Sequence, residues 1–417
     1  MQPRHRRKSD GTPLIHSPRL HLVLYSFLLV MTPFLFLRSY LVYLISRASE
    51  FPLPLGPIHL PLVPTVVSVA LIVGLVRYRR KITRRLLLAV AIVVIMDALA
   101  QRLSDFYFGH KFFDLQQNWH YIAYGLFSYM AYRELSQRKL PLARILQLIF
   151  ISALAFSSFD ETFQKFMSAR VFDLSDIAKD NWGCLMGIML IVVPGSRWDE
   201  LKRGWPQLRK EGLRGALRNP LATLGLLVIF DLVLLSCGSL LSDFEYVVPA
   251  VGLTLLIFAI LVTIVFLLQS RWGRIGVAVA CLVLLGSIAS GALGHRDQPI
   301  THNQYGLTVY RGVPVPFFDV MIYPNGRFRL ADKKHLFNKR DQDFFLKRKV
   351  DIIIMGSGSR GLGGRGFPET SEVQFLYNPY LGRATQVITL KTPEACELFN
   401  RLKREHRNVL FILHNTC

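Results

Sequence analysis

The chain has 417 residues, 51% of them apolar, a mean hydropathy of +0.33 and a formal charge of +22. Long uncharged runs at this composition exclude an ordinary soluble globule. The basic charge is spread over the connections between those runs and forms no single face, which excludes a nucleic-acid-binding reading.

A basic tail, residues 1–19, carries RHRRK. It leads into an apolar run at 20–46 with no small-residue cleavage site, read as a retained span and not a signal peptide. Further runs follow at 59–76, 86–100, 119–132, 141–157 and 181–195, so residues 20–195 read as a six-span membrane domain. The runs at 86–100, 119–132 and 181–195 need neighbouring residues or tilt to reach the ~20 that cross a hydrocarbon core. A basic linker, 196–219, separates this block from three additional spans at 220–241, 247–269 and 275–294. The expected architecture is an α-helical polytopic bundle of about nine transmembrane helices, followed at 300–417 by a soluble α/β domain.

Lys and Arg concentrate in the N-terminal tail, in RYRRKITRR (77–85), in RELSQRKLPLAR (133–144) and in the 196–219 linker. These are alternate connections, so they are assigned to the cytoplasm, and 158–180 to the outside. Counting nine spans from a cytoplasmic N-terminus places the C-terminal domain outside. The cysteines, Cys184, Cys237, Cys281, Cys396 and Cys417, show no CxxC spacing and no disulfide framework.

In the last block, YGLTVYRG and VMIYPNGRFRL read as strands, with PNG at 324–326 a turn. Residues 338–348 read as a short helix and VDIIIM as a buried strand. QVITL, TPEACELFNRLKREH and NVLFILH read as strand, helix, strand, with Thr392 as N-cap and Pro393 at the first helical position. That unit implies a parallel pair joined by a crossover. Gly356, Gly358 and Gly361 have G-x-G-x-x-G spacing after a strand, but loop-like LGGRGFPET follows where a dinucleotide fingerprint needs a helix. An anion held by this turn with Arg360 or Arg365, or a plain connecting turn, are the remaining readings.

The stretch DETFQKFMSARVFDLSDIAKDNWG, 160–183, sets five carboxylates, three basic residues and a glutamine between two apolar runs. Asp160 and Glu161 lie four and three positions before Gln164 at the end of one expected helix, Asp176 and Asp180 four apart at the start of the next, and His120 and Tyr124 four apart on another. Arg170 lies in the linker between the first two sets. Such groups persist near a bilayer when they pair or face water. Two readings stay open. One is a solvated loop whose ion pairs fix helix ends. The other is a substrate-binding site for a polar or phosphorylated headgroup, with Arg170 forking onto an anion and Glu161 or Asp160 as acid or base, His120 assisting. A hard-cation site from the same oxygens has no ligand-spacing motif behind it, so neither metal nor cofactor is expected. Arg38, Asp97 and Asp231 are further charges within the expected spans, read as structural pairs or, for Asp97 and Asp231, as a transport pathway.

The order D-E-x-x-Q, then Arg, Asp, a polar residue and Gly, at Asp160, Glu161, Gln164, Arg170, Asp176, Asp180 and Gly183, resembles the VanZ-like family. So does HYIAYGLFSYMAYR, with His120 and Tyr124. The resemblance covers roughly 85–195. It departs at Asp180, where that family usually has Asn, and at Gln117, where it often has Lys. The family is named for a protein conferring resistance to the glycopeptide teicoplanin. The resemblance therefore implies a multi-pass cell-envelope protein of the plasma membrane, with a membrane lipid or lipid-linked envelope precursor as partner. Residues 303–417, through YGLTVYRG, IYPNG, VDIIIMGSGS, TPEACELFNRL and HNTC, resemble a small α/β family that includes a mitochondrial complex I assembly factor and an adipogenesis-associated protein. That resemblance implies a three-layer β/α/β fold with a mixed sheet and a role as a protein-interaction module.

Overall fold

A computed structural model describes residues 17–31, 82–104, 115–166, 172–207, 212–242, 244–295, 298–331, 339–361 and 373–416, the segments 52–55 and 58–61, and isolated positions between 43 and 80 and between 333 and 363. The described residues are mostly helical, with a C-terminal mixed sheet. The helices are α1 (Pro18–Met31), α2 (Arg84–Ser104), α3 (Leu115–Ser136), α4 (Leu142–Gln164), α5 (Leu174–Val192), α6 (Trp198–Gln207), α7 (Leu213–Arg218), α8 (Pro220–Leu240), α9 (Val247–Leu267) and α10 (Arg271–Gly294).

Five described segments are long and apolar enough to cross a membrane: α2, α4, α8, α9 with the short 3-10 turn before it, and α10. At 1.5 Å per residue, 21 residues give about 31 Å, the thickness of a hydrocarbon core. The expectation was about nine spans. The runs at 119–132 and 181–195 lie within α3 and α5, whose polar residues dilute their apolarity. The run at 20–46 is described mainly through α1, Arg38 lies outside the described residues, and the run expected at 59–76 begins as a strand. Residues Pro52–Leu55 (β1) and Ile58–Pro61 (β2) pair antiparallel there.

The chain divides into two compact units, one of residues 1–98, 112–171 and 176–231, the other of 99–111, 172–175 and 232–417. In the first, glycine sets the spacing of α3 and α5. A Cβ on Gly183 would sit 2.5 Å from the Tyr121 Cα, and one on Gly187 would sit 2.6 Å from the Gly125 carbonyl oxygen, so only glycine permits this approach. The Trp182 indole donates to the Met96 carbonyl at 3.0 Å, fastening α5 to α2. The Tyr25 hydroxyl donates to the Ala123 carbonyl at 2.9 Å, fastening α1 to α3. Asn219 accepts from the Leu221 and Ala222 amides and so caps α8.

In the second unit, the Leu174 amide donates to the Ser242 carbonyl at 3.2 Å, and Phe172 meets Phe244 edge-on with centroids 5.2 Å apart. The Lys333 ammonium lies 4.7 Å from the Tyr246 ring centroid. A Cβ on Gly291 would lie 2.7 Å from the Arg311 carbonyl oxygen. The end of α10, the turn before α9 and the segment 172–175 therefore gather at the end of the helices that carries the C-terminal domain.

That domain contains β3 (Ile300–Gln304), β4 (Leu307–Tyr310), β5 (Val313–Pro316), β6 (Asp319–Ile322), β7 (Phe328–Ala331), α11 (Lys339–Leu346), β8 (Ile352–Gly356), β9 (Val373–Asn378), β10 (Arg383–Leu390), α12 (Thr392–Arg404) and β11 (Val409–Leu413). The main sheet has the order β7-β6-β11-β8-β10-β9, and a second, antiparallel sheet has the order β3-β4-β5. β8 and β11 are buried at every position, as central strands covered on both faces must be. One face of the main sheet packs Met321, Ile353, Met355, Leu410 and Ile412 with Phe337 and with Phe345 of α11. The other receives α12, where Phe399 meets Phe411 at 5.0 Å. Asn400 of α12 bonds both backbone groups of Ile300, at 3.1 and 2.8 Å, tying the helix to the second sheet. The helix is thus held between two sheets.

Two local expectations are corrected. β10 and β11 run in the same sense but do not pair, because β8 lies between them and is parallel to both. The N-cap of α12 is Lys391, with Thr392 inside the helix. The Thr392 hydroxyl instead accepts from the Gly358 amide and donates to the His414 carbonyl, both at 2.8 Å, joining the glycine turn to the chain's end.

Candidate functional site

The residues singled out from sequence lie on three helix ends of the first unit: the start of α3, the end of α4 and the start of α5. α4 runs on through Gln164, so Asp160, Glu161 and Gln164 share its last turns. The Gln164 amide donates to Glu161 at 2.6 Å and to Asp160 at 3.3 Å. Glu161 and Gln164 are buried.

His120 is the centre of the cluster. Its Nδ1 donates to Asp180 Oδ1 at 2.8 Å, and its Nε2 lies 3.7 Å from Asp176 Oδ2. The second Asp180 oxygen accepts from the Ser157 hydroxyl at 2.6 Å. Lys179 donates to Asp176 at 2.7 Å. Tyr124 lies near enough to Ser157, Asp180 and Asp160 for each to act on its hydroxyl. His120, Tyr124, Asp176 and Asp180 are thereby brought together, and Tyr124 relates them to Asp160. Arg170 and Cys417 lie outside the described residues, as does the side chain of Gln117. Asp97 is on α2 and acts on the Tyr121 hydroxyl.

Two members were missed from sequence. Ser157 precedes Asp160 by three positions and Glu161 by four, so the helical spacing was available, but serine inside an apolar run reads as neutral filler. Lys179 reads as a surface charge until its pairing with Asp176 is seen. The set offers a histidine oriented by a carboxylate, the arrangement of a general base, beside acceptors suited to hydroxyl and ammonium donors.

A second polar cluster lies in the C-terminal domain. Asp319 accepts from Lys333 at 2.8 Å, from the Asn415 amide at 2.9 Å and from His414 Nδ1 at 2.7 Å. Lys333 also donates to Thr416 at 2.8 Å. Burial by itself would raise the Asp319 carboxyl, but the Lys333 and His414 charges and hydrogen bonds override it and hold it at about 2. Asn415 accepts from Thr308 at 2.8 Å and donates to the Val315 carbonyl at 2.7 Å. The cluster pins the segment after β11 onto β4, β5 and β6. The glycine turn leaves β8 with Gly358 and Gly361 at φ +87° and +76°, and among the described residues no helix opens there. Arg360 is exposed on that turn, and Arg365 lies outside the described residues.

No family model and no curated protein matches the chain. A solved structure described as "MT938" is similar to it at 22% identity over 28% of this chain and 97% of its own length, with a TM-score of 0.22.

Proposed function

We propose that the chain is a cell-envelope membrane protein that binds a lipid-linked or phosphorylated headgroup at an outward-facing polar site. The observation that carries this reading is the convergence of His120, Asp176, Asp180 and Ser157 from three helices into one hydrogen-bonded set. Solvated loop charges need no such convergence. Carboxylates and hydroxyls suit the sugar hydroxyls or ammonium groups of a headgroup, and Arg170 suits its phosphate. The full count of about nine spans, the outward placement of the C-terminal domain, its role as a protein-interaction module and a link to glycopeptide resistance belong to the same reading. Its test is lipid analysis of material copurified with wild type, Arg170→Ala and His120→Ala. Loss of one headgroup class in both variants is expected; an unchanged profile overturns the proposal.

A second reading is favoured by the Asp180–His120 hydrogen bond, which orients the imidazole as bases are oriented in acid–base enzymes. In it, Glu161 is the general acid or base acting on a lipid-linked precursor and His120 assists. Turnover of such a precursor that Glu161→Gln abolishes, with headgroup binding retained, distinguishes it from binding alone.

A further inference from the structure

We propose that Arg144, Arg214 and Arg218, with Leu213 and Leu217, form a binding site for an anionic phospholipid at the basic end of the membrane helices. It is separate from the headgroup site and independent of that reading. The two lie at opposite ends of α4, with Arg144 in its first turn and Asp160, Glu161 and Gln164 in its last turns.

α6 and α7 form a collar across this basic end. Glu200 of α6 accepts from the Leu142 amide at 3.0 Å, satisfying the first amide of α4. Arg197 pairs with Glu200 at 2.7 Å and donates to the Leu140 carbonyl at 3.2 Å. Asn219, which caps α8, donates to the Gly204 carbonyl of α6 at 3.0 Å. The Leu217 carbonyl of α7 accepts from the Gln147 amide of α4 at 2.8 Å and from the Thr223 hydroxyl of α8 at 3.0 Å. Those two bonds hold α7 level with the first turns of α4 and α8, both of which are long and apolar enough to cross a membrane. α7 therefore lies where two spans pass from hydrocarbon to the headgroup layer.

The collar's described carboxylates are already committed. Asp199 pairs with Arg85, Glu200 with Arg197 and Glu134 with Arg138. Among the described residues no carboxylate pairs with Arg144, Arg214 or Arg218, and all three are exposed. Arg144 precedes Gln147 by three positions, so it shares the side of α4 that meets α7. Helical side chains lean toward the N-terminus, which carries its guanidinium outward into the headgroup layer. On α7, Arg214 and Arg218 are four apart. Leu213 and Leu217, also four apart, stand beside them and are 53% and 43% exposed, while Ala216 is buried.

Water solvates the arginines but not the leucines. A phospholipid satisfies both, with its phosphodiester on the guanidinium forks and an acyl chain over Leu213 and Leu217. Free phosphate would leave the leucines in water. Three guanidiniums without counter-ions select a headgroup of net negative charge, because the ammonium of a zwitterionic one adds a further cation to the cluster.

The test titrates the full chain, purified in detergent, with phosphatidylglycerol, phosphatidylcholine or inorganic phosphate. Bound lipid is read by native mass spectrometry and stability by thermal unfolding. Wild type is expected to bind phosphatidylglycerol saturably and to unfold at a higher temperature with it, and to respond to neither of the other two. Arg214→Gln with Arg218→Gln is expected to weaken that binding about tenfold or more, and Arg144→Gln to weaken it further. Leu213→Ser with Leu217→Ser is expected to weaken it with every charge retained. The charge-matched pair Arg271→Gln with Arg274→Gln, exposed at the start of α10, is expected to bind as wild type does. Equal binding of the two lipids overturns the proposal, as does wild-type binding by the Arg214→Gln, Arg218→Gln variant. Equal weakening by the α10 pair also overturns it, since binding would then follow net charge alone. Stabilisation by inorganic phosphate with no response to the leucine changes would make this a free-anion site, and overturns it too.

Discussion

Asp319 shows how one residue can be held ionised against the effect of its own burial. It is fully enclosed, yet Lys333, His414 and the Asn415 amide surround it with donors. Its pKa falls from 3.8 to about 2. A carboxylate depressed in the folded state stabilises the fold fully above the unfolded value. That contribution is lost as pH falls through the folded value, here on the order of 2 kcal/mol between pH 4 and pH 2. Amide exchange of β6 and β11, corrected for intrinsic rates, is expected to lose protection across that window. Asp319→Asn should remove the pH slope while weakening protection at every pH, because it leaves the buried Lys333 charge without its counter-ion. A slope that persists in Asp319→Asn would show that other carboxylates govern acid unfolding of the domain.

At the scale of elements, helix packing depends on where side chains are missing. Gly183 meets Tyr121 backbone with no room for a methyl group, whereas nothing lies within 4 Å of a Cβ built on Gly252 in α9. Gly183→Ala is expected to cost about 1–3 kcal/mol or more, since backbone cannot yield as a side chain does. Gly252→Ala should be neutral, or gain up to about 1 kcal/mol of helix propensity. Thermal unfolding of both variants in detergent checks the contrast, and equal midpoints would refute the close approach of α3 and α5. The glycine itself was visible in sequence, within the ordered motif at 160–183, but its steric reason appears only when Tyr121 is placed against it. The same limit recurs elsewhere. The apolar run VDIIIM announced a buried strand, and it is one. Its insertion between β10 and β11 could not be read, because neighbour order in a sheet is set by long-range pairing and leaves no local pattern. α3 was legible as a helix through its four-residue spacing, yet its His, Gln and Arg residues obscured its length. Ser157 was passed over because a hydroxyl in an apolar helix ordinarily bonds its own backbone, and here it serves Asp180 instead.

For the whole molecule, the question is which face of the membrane the C-terminal domain occupies. Within the second unit, α9 runs from the turn at 244–246 to the turn at 268–270, and 21 residues of helix separate them. Lys333 over Tyr246 and the Arg311 turn against Gly291 put the domain at the 244–246 end. The connection SDFEY (242–246) is acidic and carries no Lys or Arg, whereas the opposite turn is followed at once by Arg271 and Arg274. The proposed orientation, with 268–274 cytoplasmic and 242–246 and the domain outside, accords with the positive-inside bias. This needs no count of the earlier spans, so it bears on the placement independently of their number. Cysteines introduced at Glu245 and at Tyr377, both exposed, are expected to react with a membrane-impermeant maleimide in right-side-out vesicles. Gln269→Cys is expected to react only in inverted ones. The substitutions are made in a Cys417→Ser background, in which Cys184, Cys237 and Cys396 are buried and Cys281 lies within the apolar length of α10. Labelling of Tyr377→Cys together with Gln269→Cys would overturn the packing of the domain on the start of α9. Labelling of Tyr377→Cys together with Glu245→Cys, but in inverted vesicles, would preserve that packing and reverse the orientation of the whole second unit.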